Sequence, residues 1–343
     1  MWKDRLTFDD VRGAAGKALI ARIDALGALS CGLLRFAVPS LHDAEALGEL
    51  AERVSMPLCA DIHFDYKKAL RCLDFPVAKL RINPGNIGSR SRVEAVCAKA
   101  AEKNRPIRIG VNAGSLQQDL RRQTEAGMDT AGALVLAAER ELAVFGEFGF
   151  ENVLVSMKAC GIADTIKANR LLSQRTDAPL HIGLTEAGPL VPGTVRNTAA
   201  LLSLLGEGIG DTIRVSLSDT MENEVIAGRE ILRAASECAG NGEAGKRFRQ
   251  GGVRIVSCPR CGRCGFDTHA FTERWMRRLY SLNKNITVAV MGCEVNGPAE
   301  AKDADIGITG AGNAALIFRQ GKIISRIDAA DADAAFEEEL DKL

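Results

Sequence analysis

The chain has no apolar run approaching the roughly 20 residues that a membrane-spanning helix requires, and its N-terminus lacks the charged-then-apolar pattern of a secretory signal. On that basis a cytoplasmic protein is expected. Charge of one sign is not in excess either. Lys and Arg total 44 and Asp and Glu total 44, so no global positive field would gather nucleic acid or an anionic membrane. Any anionic ligand must be met by a local cluster of cations. Internal repeats and low-complexity tracts are also missing. At 343 residues there is chain enough for one large domain and a small one.

Cysteine, by contrast, is plentiful, with ten residues. A large chain without an export signal does not invite a disulfide framework. Six stand alone (Cys31, Cys59, Cys72, Cys97, Cys160 and Cys238) and are read as small buried apolar side chains. The other four, Cys258, Cys261, Cys264 and Cys293, fall in two loops.

Seven strand-like runs recur along the first two-thirds of the chain, at 32–38, 57–64, 78–83, 106–112, 152–158, 180–186 and 211–217. They are short and apolar-rich, as parallel strands covered on both faces should be. Helix-like segments lie at 12–26, 93–103, 132–145 and 195–205. This alternation predicts βαβ units and a parallel sheet, close to the eight strands of a TIM-type (β/α)8 barrel. The shortfall is at the front, where the chain enters a helix with no strand before it. A barrel lacking its first strand is therefore expected, with a missing native segment of at most a few tens of residues before Met1.

A Gly- and charge-rich stretch follows, so the expected domains are a barrel over 1–240, a linker over 241–252 and a small α+β domain over 253–343. In the last, strands are expected at 253–257, 286–291 and 305–309, then a hairpin of 315–319 and 322–327 turning at Gln320–Gly321, and an acidic final helix.

The two cysteine loops read Cys258-Pro-Arg-Cys261-Gly-Arg-Cys264 and Met291-Gly-Cys293-Glu-Val-Asn-Gly-Pro-Ala-Glu300. Thiolates three residues apart converge on one centre, and the Gly and Pro neighbours let the backbone fold tightly around it. Structural zinc is the competing reading, but a zinc ribbon usually has a second Cys-x-x-Cys or a His pair. Here the second loop holds one cysteine, and the nearby histidine is His269. The spacing favours an iron–sulfur cluster. It leaves open whether Cys264 is a fourth ligand or a bystander.

Arg35, Arg81, Arg108, Lys158 and Arg214 each lie within or at the end of a different expected strand. A cation in a short apolar strand is costly to bury without an anion, and barrel strands converge at their carboxyl ends on one mouth. Guanidinium forks bind phosphate oxygens bidentately and lysine acts as a point charge, so a diphosphate is the natural ligand. Asp61 and His63 end the second run, and Glu186 ends the sixth.

These motifs resemble those of the 4-hydroxy-3-methylbut-2-enyl diphosphate synthase family. The likeness rests on the two cysteine loops and, in the barrel, on Ala60-Asp-Ile-His-Phe-Asp65, Lys79-Leu-Arg-Ile-Asn-Pro-Gly-Asn-Ile-Gly88, Ile107-Arg-Ile-Gly-Val-Asn-Ala-Gly-Ser115, Leu184-Thr-Glu-Ala-Gly188 and Gly208-Ile-Gly-Asp-Thr-Ile-Arg-Val-Ser216. It runs from about residue 30 to about residue 327.

The resemblance implies reductive dehydration and ring opening of 2-C-methyl-D-erythritol 2,4-cyclodiphosphate, with reduced flavodoxin or ferredoxin as electron donor, in a homodimer. It implies a 4Fe-4S cluster on Cys258, Cys261, Cys293 and Glu300, with Cys264 a bystander. The five cations would bind substrate with Asp61 and His63 and with Asn83, Asn112 and Ser216 as neutral partners. Glu186 would donate a proton or orient the leaving hydroxyl, and Glu300 would be an exchangeable ligand. The alternative function is a non-catalytic or truncated diphosphate-binding iron–sulfur protein. The chain departs from the family pattern at Ala299, where a glycine is usual; a φ above zero there would cost alanine roughly 1 kcal/mol. It also departs at the absent first strand, whose Gln-Ser-Met-like segment Met1 matches at its methionine.

Overall fold

The computed structural model describes the chain apart from residues 241–242, 249–250 and 295–296 and the side chains of residues 84, 243 and 244. It divides into two compact units, Met1–Gln250 and Gly251–Leu343.

In the first unit all seven expected runs contain a strand: β1 (Leu34–Ala37), β2 (Leu58–Asp61), β3 (Lys79–Ile82), β4 (Ile107–Asn112), β5 (Val153–Lys158), β6 (His181–Ile182) and β7 (Thr212–Ile213). β1 to β5 form one parallel sheet in chain order. A single parallel bridge from Val155 to Leu180 links β5 to the segment entering β6, and β6 pairs in parallel with β7. Sequential parallel strands with intervening helices are the wall of a TIM-type barrel. The apolar runs explain the placement: all four residues of β2 are buried.

Two strands are far shorter than their apolar runs. The 180–186 run forms a strand only over His181–Ile182, and the 211–217 run only over Thr212–Ile213. The cause is at Gly183, whose φ is +151° and where an added Cβ would meet the Arg214 carbonyl oxygen at 2.2 Å. Beyond Ile182 the two backbones approach too closely for a regular ladder.

Among the described residues no ladder joins β7 to β1. The first residues lie in that seam. The Trp2 N–H donates to the Arg35 carbonyl at 2.9 Å, Lys3 Nζ donates to the Leu217 carbonyl at 2.8 Å, and the Trp2 ring stacks on Phe36 with centroids 5.3 Å apart. The helix Gly13–Ala28 precedes β1.

The linker expected at 241–252 lies partly outside the described residues. A short helix, Glu243–Phe248, belongs to the first unit. Phe248 is buried in that unit's core, and Arg247 donates to the carbonyls of Gly208 at 2.9 Å and Gly210 at 3.0 Å. One apolar anchor and one guanidinium are enough to fasten a segment whose composition reads as loop.

The second unit is a five-stranded sheet in the order β12-β11-β10-β9-β8. β8 (Arg254–Ser257), β9 (Thr287–Met291) and β10 (Ile306–Ala311) run parallel, and β10, β11 (Ala314–Arg319) and β12 (Lys322–Asp328) are antiparallel. The hairpin turns at Gln320 and Gly321, with φ of 47° and 74°, the left-handed pair a two-residue hairpin favours. The helix Thr268–Ser281 buries Phe271, Trp275 and Leu279 in one core with Phe336 of the helix Ala332–Asp341. No helix among the described residues is long and apolar enough to cross a membrane.

Candidate active site

Parallel register aligns Asp61, Arg81 and Arg108 on β2, β3 and β4, so the three side chains leave the sheet on one face. Asp61 is the organiser. Its Oδ2 pairs with Arg35 Nη1 at 3.1 Å and its Oδ1 with Arg81 Nη1 at 3.0 Å. His63 Nε2 lies 2.7 Å from the same Arg81 Nη1. The same ring nitrogen lies 3.4 Å from Asp61 Oδ1. Burial alone would raise the Asp61 carboxyl, but the His63 ring and the charges of Arg35 and Arg81 outweigh it and hold the group well below the usual carboxylate range.

Arg108 enters β4 as its second residue, deeper than a strand-end position, and its Nη1 donates to Ser156 Oγ at 2.7 Å. Ser156 in turn donates to the Ile109 carbonyl at 3.3 Å. Burial, with Arg35 and Arg81 nearby, pushes Arg108 down to about 9; at neutral pH it still carries its charge. Lys158 ends β5 and is buried. Burial first, and then the charges of Arg214, Arg108, Arg35 and Arg81, lower its ammonium well below the usual lysine range. Arg214 Nη2 donates to Ser216 Oγ at 3.4 Å, and burial lowers it too, with Arg35 adding to the effect.

The five cations therefore form one cluster, with Asp61 the carboxylate in direct contact with two of them. Among the described residues the buried Nε atoms of Arg35, Arg81 and Arg214 have no hydrogen-bond partner. An uncompensated group of this kind is stable only with an anion to receive it. A cavity of about 470 Å³ borders the cluster at Arg35, Arg108 and Arg214; it lies toward the amino ends of the strands, where Lys79, His181 and Thr212 line it, and Arg81, Lys158 and Asp61 do not. Asn83 is buried at the end of β3 and Asn112 closes β4, opposite Lys158 in register.

Glu186 stands on the loop after β6, exposed, with a left-handed φ of 54°. Its Oε2 accepts from the Cys160 thiol at 3.0 Å. This corrects the reading of the six scattered cysteines as buried apolar residues. Cys59, Cys72 and Cys97 are buried, whereas Cys31 is half-buried and Cys160 and Cys238 are exposed. Cys160 could have been suspected from its place two residues beyond Lys158, where strand ends gather. Ser156 and Gly110 also lay in the sequence without being singled out; their roles follow from Arg108 and Arg81, their contacts in space.

In the second unit Cys258 directly follows β8 and Cys293 lies just beyond β9, two adjacent parallel strands. The Cys258 N–H donates to the Val290 carbonyl at 3.0 Å and the Gly265 N–H to the Gly292 carbonyl at 2.8 Å, closing the first loop onto the second. Gly292 is required for this approach: an added Cβ would lie 2.7 Å from Cys264 Sγ and 3.6 Å from Cys258 Sγ. Arg260, between Cys258 and Cys261, takes a left-handed φ of 72°. Cys264 Sγ donates to the Phe266 carbonyl at 2.8 Å.

Among the described residues no three His, Cys, Asp or Glu side chains close on a point for a single metal ion. A cluster of several irons spreads its ligands more widely, and three thiols with a carboxylate on facing loops suit that demand. Val295 and Asn296 of the second loop lie outside the described residues. Ala299 does not carry the strain its sequence position suggested. It is part of the short helix Gly297–Glu300 and is absent from the residues with positive φ.

Comparison with known proteins agrees over nearly the whole chain. A family model described as the GcpE TIM-barrel domain matches residues 9–229, and one described as the GcpE protein C-terminal domain matches residues 254–342. The chain is 51% identical to the 4-hydroxy-3-methylbut-2-en-1-yl diphosphate synthase (flavodoxin) of Treponema pallidum, over 100% of this chain and 85% of that protein. Identity is 47% to the protein of the same name from Treponema denticola, over 100% of this chain and 92% of that one. It is 44% to that of Geobacter sulfurreducens, over 97% and 90% respectively. With both domains matched in order and relatives this similar along their length, the chain belongs to the GcpE family.

Proposed function

We propose that this chain is an oxidoreductase that converts 2-C-methyl-D-erythritol 2,4-cyclodiphosphate to 4-hydroxy-3-methylbut-2-enyl diphosphate, with reduced flavodoxin as electron donor. Two electrons and two protons enter, a ring C–O bond opens to free a phosphate oxygen, and a hydroxyl leaves as water. Ferredoxin is the alternative carrier. The observation that carries the reading is the cluster of buried Arg81, Arg108 and Lys158 with half-buried Arg35 and Arg214, for which Asp61 is the one carboxylate in direct ion-pair contact among the described residues.

In this reading the cations hold the diphosphate, with Asn83, Asn112 and Ser216 as neutral partners. Asp61 fixes Arg35 and Arg81 side by side, and His63 packs beside them at the edge of the substrate. The cations bind the oxygen released on ring opening more strongly than the ring oxygen, which stabilises the transition state over the ground state. Glu186, exposed on its loop, delivers the proton to the departing hydroxyl. Cys258, Cys261, Cys293 and Glu300 would hold a 4Fe-4S cluster. Once bound, that cluster supplies single electrons and an iron whose carboxylate ligand is easily exchanged. A homodimer is part of the proposal.

The test is anaerobic turnover of the cyclodiphosphate with reduced flavodoxin, following the linear diphosphate by mass spectrometry. Stoichiometric product supports the reading. A preparation with full iron content that binds the cyclodiphosphate and never turns it over would overturn it. Sedimentation of the same sample tests the dimer.

A further inference from the structure

Cys160 is an exposed thiol in contact with Glu186, the proton donor proposed above. It lies two residues beyond Lys158, on the loop that leaves β5. Its neighbour Ala159 is pinned on both sides: the Ala159 N–H donates to Thr165 Oγ1 at 3.2 Å, and the Ala159 carbonyl accepts from the Thr185 N–H at 3.3 Å. The second contact ties the β5 loop to the loop that carries Glu186. Held there, Cys160 Sγ donates to Glu186 Oε2 at 3.0 Å.

Glu186 is itself an unusual residue. Its φ of 54° is one that side chains larger than glycine seldom adopt, and such conformations persist where surroundings over-determine them. Oε1 meets no hydrogen-bond donor among the described residues. Arg196 Nη1 donates to the carbonyl of Ala187, the next residue, at 3.2 Å.

We propose that Cys160 is a positioning residue for the reaction, its thiol holding Oε2 of Glu186 so that Oε1 faces the substrate. This rests on the function proposed above. The thiol is suited to the task because it must donate. A thiolate would place a second negative charge against the carboxylate, so hydrogen bonding to Glu186, with burial secondary, raises the Cys160 thiol above its ordinary value. The group stays protonated although it is open to solvent.

Two measurements test this. In the first, Cys160 is alkylated with iodoacetamide from neutral to alkaline pH and quantified by site-resolved mass spectrometry. Glu186→Gln should shift its reactive limb to lower pH and raise its labelling at neutral pH by about three-fold or more. Identical labelling in both proteins would dissolve the pair. In the second, kcat and KM are measured. Cys160→Ala should lower kcat by about ten-fold with little change in KM. Cys160→Ser, which restores a donor, should return kcat toward the native value. Native kcat in the alanine variant would overturn the proposal. An inactive native enzyme would instead refute the function proposed above, and the labelling comparison would still decide whether the pair exists.

Discussion

The guanidinium of Arg81 lies over the backbone of Gly110. A Cβ added there would stand 2.3 Å from Arg81 Nε and 2.7 Å from Nη2. Only a residue without a side chain at that point of β4 leaves room for the Arg81 guanidinium while its Nη1 pairs with Asp61 on β2. Gly110→Ala should therefore displace the guanidinium while leaving the strand intact. The expected outcome is a KM raised by about ten-fold or more with a melting temperature near that of the native protein. A native KM would show that Arg81 does not bind the diphosphate.

Asp61 bridges the buried guanidinium of Arg81 and the half-buried one of Arg35, and its removal leaves both uncompensated. Asp61→Asn should lose about 3 kcal/mol of stability without ligand, and added pyrophosphate should recover more of it than it adds to the native protein. The pH dependence has a definite sign. Asp61 is held below its unfolded value, so its contribution is complete above the unfolded carboxyl range and is lost as pH falls through the folded value. Urea titrations of the two proteins should converge in acid and diverge toward neutrality.

Lys158 presents the reverse case. Its ammonium is buried among four guanidinium groups, which costs stability that only an anion repays. Lys158→Met should raise the stability of the ligand-free protein by about 1–2 kcal/mol while lowering kcat/KM by about a hundred-fold or more. Because the folded value lies below the unfolded one, the unfolded chain binds more protons in the interval between them. Native stability should rise with pH across that interval, and the methionine variant should lack the rise. A Lys158→Met protein less stable than native would contradict the cluster as described.

The cysteines of the second unit make a separate prediction. Cys264 donates its thiol to Phe266, whereas Cys258 sits at the end of β8 facing the second loop. After anaerobic reconstitution, Cys264→Ser should keep native iron content and visible charge-transfer absorption, and Cys258→Ser should lose both. Equal loss in the two variants would make Cys264 a ligand.

The order of strands and the small second domain were determined by the sequence itself, because buried parallel strands leave short apolar runs that periodicity exposes. The five cations were legible for the same reason: charge inside such a run has a high cost, so each stands out against its neighbours. The paired cysteine loops carried their chemistry in spacing alone.

What the tertiary structure decided was pairing. No spacing could place Asp61 between Arg35 and Arg81, or Arg108 against Ser156, since these depend on the register of β1 to β5 and on how far each side chain reaches. The truncated strands at 180–186 and 211–217 follow from one close backbone approach at Gly183, between segments 31 residues apart. The helix Glu243–Phe248 looked like linker because composition averages over a segment, whereas a single buried Phe248 can anchor it. Cys160 shows the same limit most plainly. Its residue type suggested a core position, and only the meeting of two loops in space put its thiol on Glu186.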